Sequence, residues 1–211
     1  MHFAPLRGSQ IFVVLAIVAA ASSSAAHINV LRGRLVDLVQ QSDIIIVGVI
    51  TLPASLSPDR KSLGIDVVAT LLGELDQKAL TAKTSTRLIA GERQVIFLKR
   101  EGSGFRCVQP AGTRYPAAAA DDAAYRAAVD GIAAALRLPD DQQVHPLRAA
   151  LIPALSSKSL PLRYHAALEL ASLNHEGHEL TVEERAAIEK VRSAPDFDPS
   201  LREVVEGLLR Q

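Results

Sequence analysis

The sequence predicts an α+β chain in which a five-stranded β-barrel is followed by a C-terminal helical bundle. Three observations carry this. Between Ile44 and Gln109 the apolar residues fall in short, β-branched runs bounded by Pro and Gly. After Pro110 the composition turns alanine-rich, with apolar residues at helical spacing. The 211 residues are 48% hydrophobic and 22% charged, the balance of a globular body with a core of its own.

The N-terminus reads as an address, not as fold. Arg7 precedes an unbroken apolar run from Ile11 to Ala21, followed by the small residues Ser22 to Ala26, the outline of a secretory signal peptide over residues 1–26. The run is too short for a spanning helix, which needs about 20 apolar residues. Cleavage after Ala26 or Ala25 is expected, so membrane contact is transient and the mature chain is secreted or periplasmic. No Cys stands at the cleavage region to take a lipid.

The elements of the barrel half, taken as residues 27–115, follow in order. Leu31, Leu35, Leu38 and Val39 stripe one face of a short helix over Val30–Gln41. Ile44 to Leu52 is nearly all β-branched and is stopped by Pro53, which marks a strand buried on both faces. Leu63 to Leu72 alternates and closes at Gly73, leaving one face in the core. Thr84 to Ile89 is expected as a weaker third strand, with Glu74 to Lys83 before it as an exposed loop. Gln94–Lys99 and Phe105–Gln109 flank Glu101-Gly102-Ser103-Gly104 as a hairpin.

Ser42-Asp43 with the strand Ile44–Ile50, the strand end Leu71-Leu72-Gly73-Glu74, and Gly91-Glu92-Arg93 with Gln94–Leu98 together resemble the netrin/TIMP-like branch of the OB-fold, over about residues 28–115. The resemblance implies a five-stranded OB-like barrel. Inhibitors of that family chelate a target zinc through an N-terminal cysteine and hold their inhibitory edge with disulfides. This chain has Cys107 alone, so the inhibitory function is not carried over.

In the helical half, residues 116–211, Asp121 or Asp122 caps a helix running to Leu138 and stopped by Pro139. Helices over Pro146–Leu155 and Pro161–Leu173 form a hairpin. Leu162-Arg163-Tyr164-His165-Ala166-Ala167-Leu168-Glu169-Leu170 resembles the second helix of a HEAT repeat, and Leu151–Leu155 fits the first. Thr181-Val182-Glu183-Glu184 is a capping box opening a helix to Arg192, and Asp198-Pro199 opens the last helix to Leu209.

Composition removes several function classes. Equal counts of 23 basic and 23 acidic residues give no net field for nucleic acid, and five Phe, three Tyr and no Trp leave little to stack bases on. One Cys excludes a disulfide framework or a cysteine-rich zinc site. No Gly-x-Ser-x-Gly and no glycine-rich phosphate loop occurs. Cys107, flanked by Phe105, Arg106 and Val108, reads as an inert buried thiol. Asp121-Asp122 and Asp140-Asp141 read as caps and turns, because adjacent carboxylates diverge. His165 reads as packing.

The favoured function is therefore an extracytoplasmic, non-enzymatic binding or scaffold protein with a protein partner and no cofactor. Its docking residues are expected in the loop carrying Lys78 and Lys83, or on the helical surface around Arg148 and Arg163. A metal-handling protein using His27, His175 and His178 is the alternative, since imidazole is a common ligand and His27 would become the N-terminus on cleavage. A hydrolase assembled only in three dimensions is the third reading. Export is checked by N-terminal sequencing of protein made in its native host. A start at His27 or Ala26 is expected, and mature material beginning at Met1 would contradict it.

Overall fold

The computed structural model describes residues 34–210 apart from 58, 60, 112 and 176–178. The signal peptide, His27 and His178 lie outside the described residues, and of His175 only its place at a helix end is described. Five strands, β1 (Ile44–Leu52), β2 (Ser62–Leu72), β3 (Ala79–Lys83), β4 (Arg93–Glu101) and β5 (Gly104–Cys107), close into a barrel of order β1-β2-β3-β5-β4. All pairs are antiparallel except β3 with β5, an arrangement compatible with an OB-like barrel. Helix α1 (Leu35–Gln41) precedes the barrel. Helices α2 (Asp122–Ala135), α3 (Val144–Leu151), α4 (Leu160–His175), α5 (Val182–Arg192) and α6 (Arg202–Leu209) follow it.

One expected element is displaced. The third strand is Ala79–Lys83, inside the segment expected as a loop, and Thr84–Ile89 is the loop. Leu80 and Ala82 alternate into the barrel, so the short run pairs with β2 over five residues. Beyond it, the Thr84 hydroxyl accepts the Thr86 N–H at 2.9 Å, a local side-chain turn that competes with strand pairing.

β1 is buried on both faces, as its β-branched run predicts. Ile44, Ile46 and Ile50 fill the barrel with Leu63, Ile65, Ile96 and Leu98, while Ile45 and Val47 point outward into a second core. β4 divides the same way: Ile96 and Leu98 go in, Val95 and Phe97 go out. The outward residues meet Leu35, Leu38 and Val39 of α1 and the apolar faces of α2 to α6. At Gly48 a Cβ would lie 2.4 Å from Ile65 Cγ2, so only glycine lets β1 pass so close to β2.

After β5 the chain returns along β4. The Gln109 amide stands in for a strand partner, accepting from Phe97 N and donating to Val95 O. Tyr115 then donates its N–H to the Gln94 amide oxygen at 2.8 Å. The capping boundaries hold. Glu184 N donates to the Thr181 hydroxyl and Glu184 returns the bond to Thr181 N, while Asp198 accepts from Ser200 N at the turn that opens α6.

α4 is the central helix, with no exposed residue from Pro161 to Asn174. It carries its polar groups inward. Glu169, 1% exposed, accepts from the Arg34 guanidinium at 2.8 Å and from Val36 N at 3.2 Å, which fixes the start of α1. One turn earlier, His165 stacks on Tyr115 with ring centroids 4.6 Å apart, and its Nε2 has no hydrogen-bond partner among the described residues. Burial pushes the His165 pKa down to about 4. The unfolded chain takes up this proton near pH ~6.5. The stability tied to neutral His165 is therefore whole above that pH and is lost as pH falls towards 4. Glu169 works the other way, since burial raises its pKa against the opposing pull of Arg34. The difference between two proteins that share Glu169 isolates the histidine. Between those pH limits the wild type should lose about 1.4 kcal/mol per pH unit more than His165→Phe, measured by urea unfolding. Equal slopes would contradict the assignment.

Candidate functional site

The helices cover the β1–β4 side of the barrel and, through α2, the Ala69–Leu72 end of β2, and leave β3, β5 and the start of β2 open. Residues opposite one another across paired strands point to the same face. In this register Ser62 pairs Lys83, Lys83 pairs Arg106, and Arg106 pairs Lys99. Their inward neighbours are Leu63, Ala82, Phe105 and Cys107, so the row Ser62-Lys83-Arg106-Lys99 faces outward. Three cations thus stand side by side on exposed sheet. Arg106 is tied to Glu101. Lys83 and Lys99 have no ion pair among the described residues. Like charges directly opposed on a sheet cost stability.

At one end of this row lies a cavity of about 680 Å³ lined by Ala54, Ser55, Lys61, Thr84, Ser85, Thr86 and Arg87. Two loops build it. In the β1–β2 loop, Asp59 accepts from the Ser57 hydroxyl at 2.8 Å, from Lys61 N at 3.0 Å and from Ser62 N at 2.9 Å. These donors hold its carboxyl well below the usual carboxylate range, the Ser62 hydroxyl contributing most. In the β3–β4 loop, Leu88 is 4% exposed and plugs the barrel. The buried Thr86 hydroxyl donates to the Gln109 and Pro110 carbonyls. Arg87, between these two anchors, is turned outward. The loops are stitched together where Thr84 N donates to Lys61 O at 2.7 Å.

Among the described residues the lining offers hydroxyls and two cations, and no carboxylate or imidazole. A second cavity of about 420 Å³ lies at the seam between barrel and helices, with Arg93, Asp121 and Lys158 in its wall. Arg93 is committed there to Asp122 and to the Ala117 carbonyl.

The site residues expected from sequence separate. Lys83 stands in the cationic row. Lys78 is exposed at the other end of β3, where its carbonyl accepts Val67 N, so the two lysines do not share one loop. Arg148 is a correction: it is 0% exposed and presents no surface. Val144, Leu147 and Leu151 share its buried face of α3, and its guanidinium meets Glu184, the Asn174 amide and the carbonyls of Leu173 and Glu179. Arg163 is four-fifths covered and faces Asp198 at 3.5 Å. The expected docking surface around these two arginines is therefore an internal tie between helices. Among the described residues no group of three His, Cys, Asp or Glu side chains is placed to hold a metal ion, and no helix is long and apolar enough to cross a membrane.

Cys107 ends β5 inside the barrel, 5% exposed, and burial pushes its thiol up to about 12, which leaves it protonated and unreactive. Neither Lys99 nor Arg106 stood out in the sequence, since their alignment with Lys83 depends on a parallel β3–β5 pairing between segments 23 residues apart. Compared with protein-family models, with curated proteins and with solved structures, the chain matches none.

Proposed function

We propose that this protein is an exported, non-enzymatic binding or scaffold module that holds an acidic protein partner on the open side of its barrel. The observation that carries the reading is the row Lys83-Arg106-Lys99, three directly opposed cations of which Arg106 alone is paired, to Glu101, among the described residues. Their mutual repulsion works against folding, and an acidic partner surface relieves it. The same reading takes the barrel as netrin/TIMP-like and the α3–α4 pair as HEAT-like in form. The strand order and the short connection between the two helices support it.

The helical half then serves as backing. It covers one side of the barrel and leaves the other for the partner. The test places a photo-crosslinking residue at Thr81, beside the row, in protein exported by its native host. An acidic protein should be captured, and Lys83→Glu with Lys99→Glu should reduce capture roughly tenfold or more. The unfolding midpoint should not fall, because exposed charges contribute little to stability. Undiminished capture by the double variant would overturn the reading.

A further inference from the structure

We propose that the cavity between the β1–β2 and β3–β4 loops is a binding site for a phosphate or sulfate oxyanion. The inference is independent of the protein partner proposed above, since it rests on different residues. Lys61 and Arg87 face this cavity and have no ion-pair partner among the described residues. Around them stand the hydroxyls of Ser55, Thr84 and Ser85. A tetrahedral oxyanion accepts from several directions at once, and an ammonium, a planar guanidinium and short hydroxyls are the donors that suit it.

The donors are held in place before any ligand arrives. Asp59 folds the first loop on itself and so fixes the backbone at Lys61, while Thr86 and Leu88 anchor the second loop on either side of Arg87. Asp59 is the nearest carboxylate along the chain. It lies outside the lining, its oxygens engaged by Ser57, Lys61 and Ser62 of its own loop. The protein is neutral overall, so this local excess of positive charge is a property of the site and not of the molecule.

The rim is apolar. Leu56 on the first loop and Ile89 on the second are 71% and 55% exposed, among the largest exposures of any aliphatic side chains in the structure. An oxyanion reaching the cavity either comes free in solution or is the headgroup of a lipid whose chains meet these two residues. The chemistry at Lys61 and Arg87 is the same in both cases.

The experiment is an NMR titration of the full mature chain with inorganic phosphate, with chloride holding ionic strength constant. Saturable shifts are expected at Ser55, Lys61, Ser85 and Arg87, and Lys61→Glu with Arg87→Glu should weaken them roughly tenfold or more. Both residues are exposed and have no ion pair among the described residues, so the variant should keep its fold. Lys83→Glu with Lys99→Glu should leave the titration unchanged, which separates this site from the partner surface. A second arm uses phosphatidylglycerol vesicles against phosphatidylcholine vesicles. Binding to the first alone, lost in Leu56→Ser with Ile89→Ser, identifies a lipid headgroup as the source. Phosphate shifts without vesicle binding identify a free oxyanion. No localised shift with phosphate and no preference for the anionic vesicles, or equal responses in the Lys61/Arg87 variant, would overturn the site.

Discussion

Everything in this structure depends on a two-faced wall. β1 and β4 send alternate side chains into the barrel and out of it, and both sets are apolar: Ile44, Ile46, Ile96 and Leu98 inward, Ile45, Val47, Val95 and Phe97 outward. Burying each outward side chain stabilises the fold by about 1.5–3 kcal/mol. A barrel of this sequence standing alone would leave them in water. The helices are therefore a second layer on the wall, in the way that sheets generally bury a hydrophobic face against another element. Because they pack on that wall and the adjoining end of β2, the β3–β5 side remains open, and the row of Lys83, Arg106 and Lys99 stands there.

The seam between wall and helices is not uniformly apolar, and most of its polar groups are paired. Glu169 takes Arg34 and the Val36 N–H, the Tyr125 hydroxyl meets Ser159 at 3.0 Å, and Arg148 joins α3 to Glu184 and to the end of α4. A paired buried charge is weak evidence for stability, but a slipped helix would leave it unmatched, and breaking such a pair is costly. His165 Nε2, like Asp122 Oδ1, is a buried atom with no hydrogen-bond partner among the described residues. The His165 ring is held neutral by burial and stacking, which ties the seam to pH.

Much of this was legible in the sequence, because local chemistry determines it. The β-branched run from Ile44 announced the doubly buried strand, Gly102 the turn between β4 and β5, Thr181-x-x-Glu184 and Asp198-Pro199 the last two helices. The order of barrel then helices was readable from composition alone. What escaped was set by distant pairing. β3 has only Leu80 and Ala82 to mark it, and its place comes from pairing with β2 and β5. Arg148 looked like a surface residue because arginine usually is one; its burial depends on Asn174 and Glu184, which its own segment does not reveal. Both candidate sites on the open side combine residues from separate strands or loops, and the cationic row required a register that no spacing in the sequence encodes.

The claim that barrel and helices are one body sharing a wall is tested most directly by native-state hydrogen exchange. The amides of Ile45, Ile46 and Val47 in β1 and of Ala166, Ala167 and Leu170 in α4 should exchange through a common global opening, with matching free energies and matching dependence on denaturant. Exchange of the α4 amides through a lower-energy opening while β1 stays protected would show a barrel that stands without its helices, and would contradict the account.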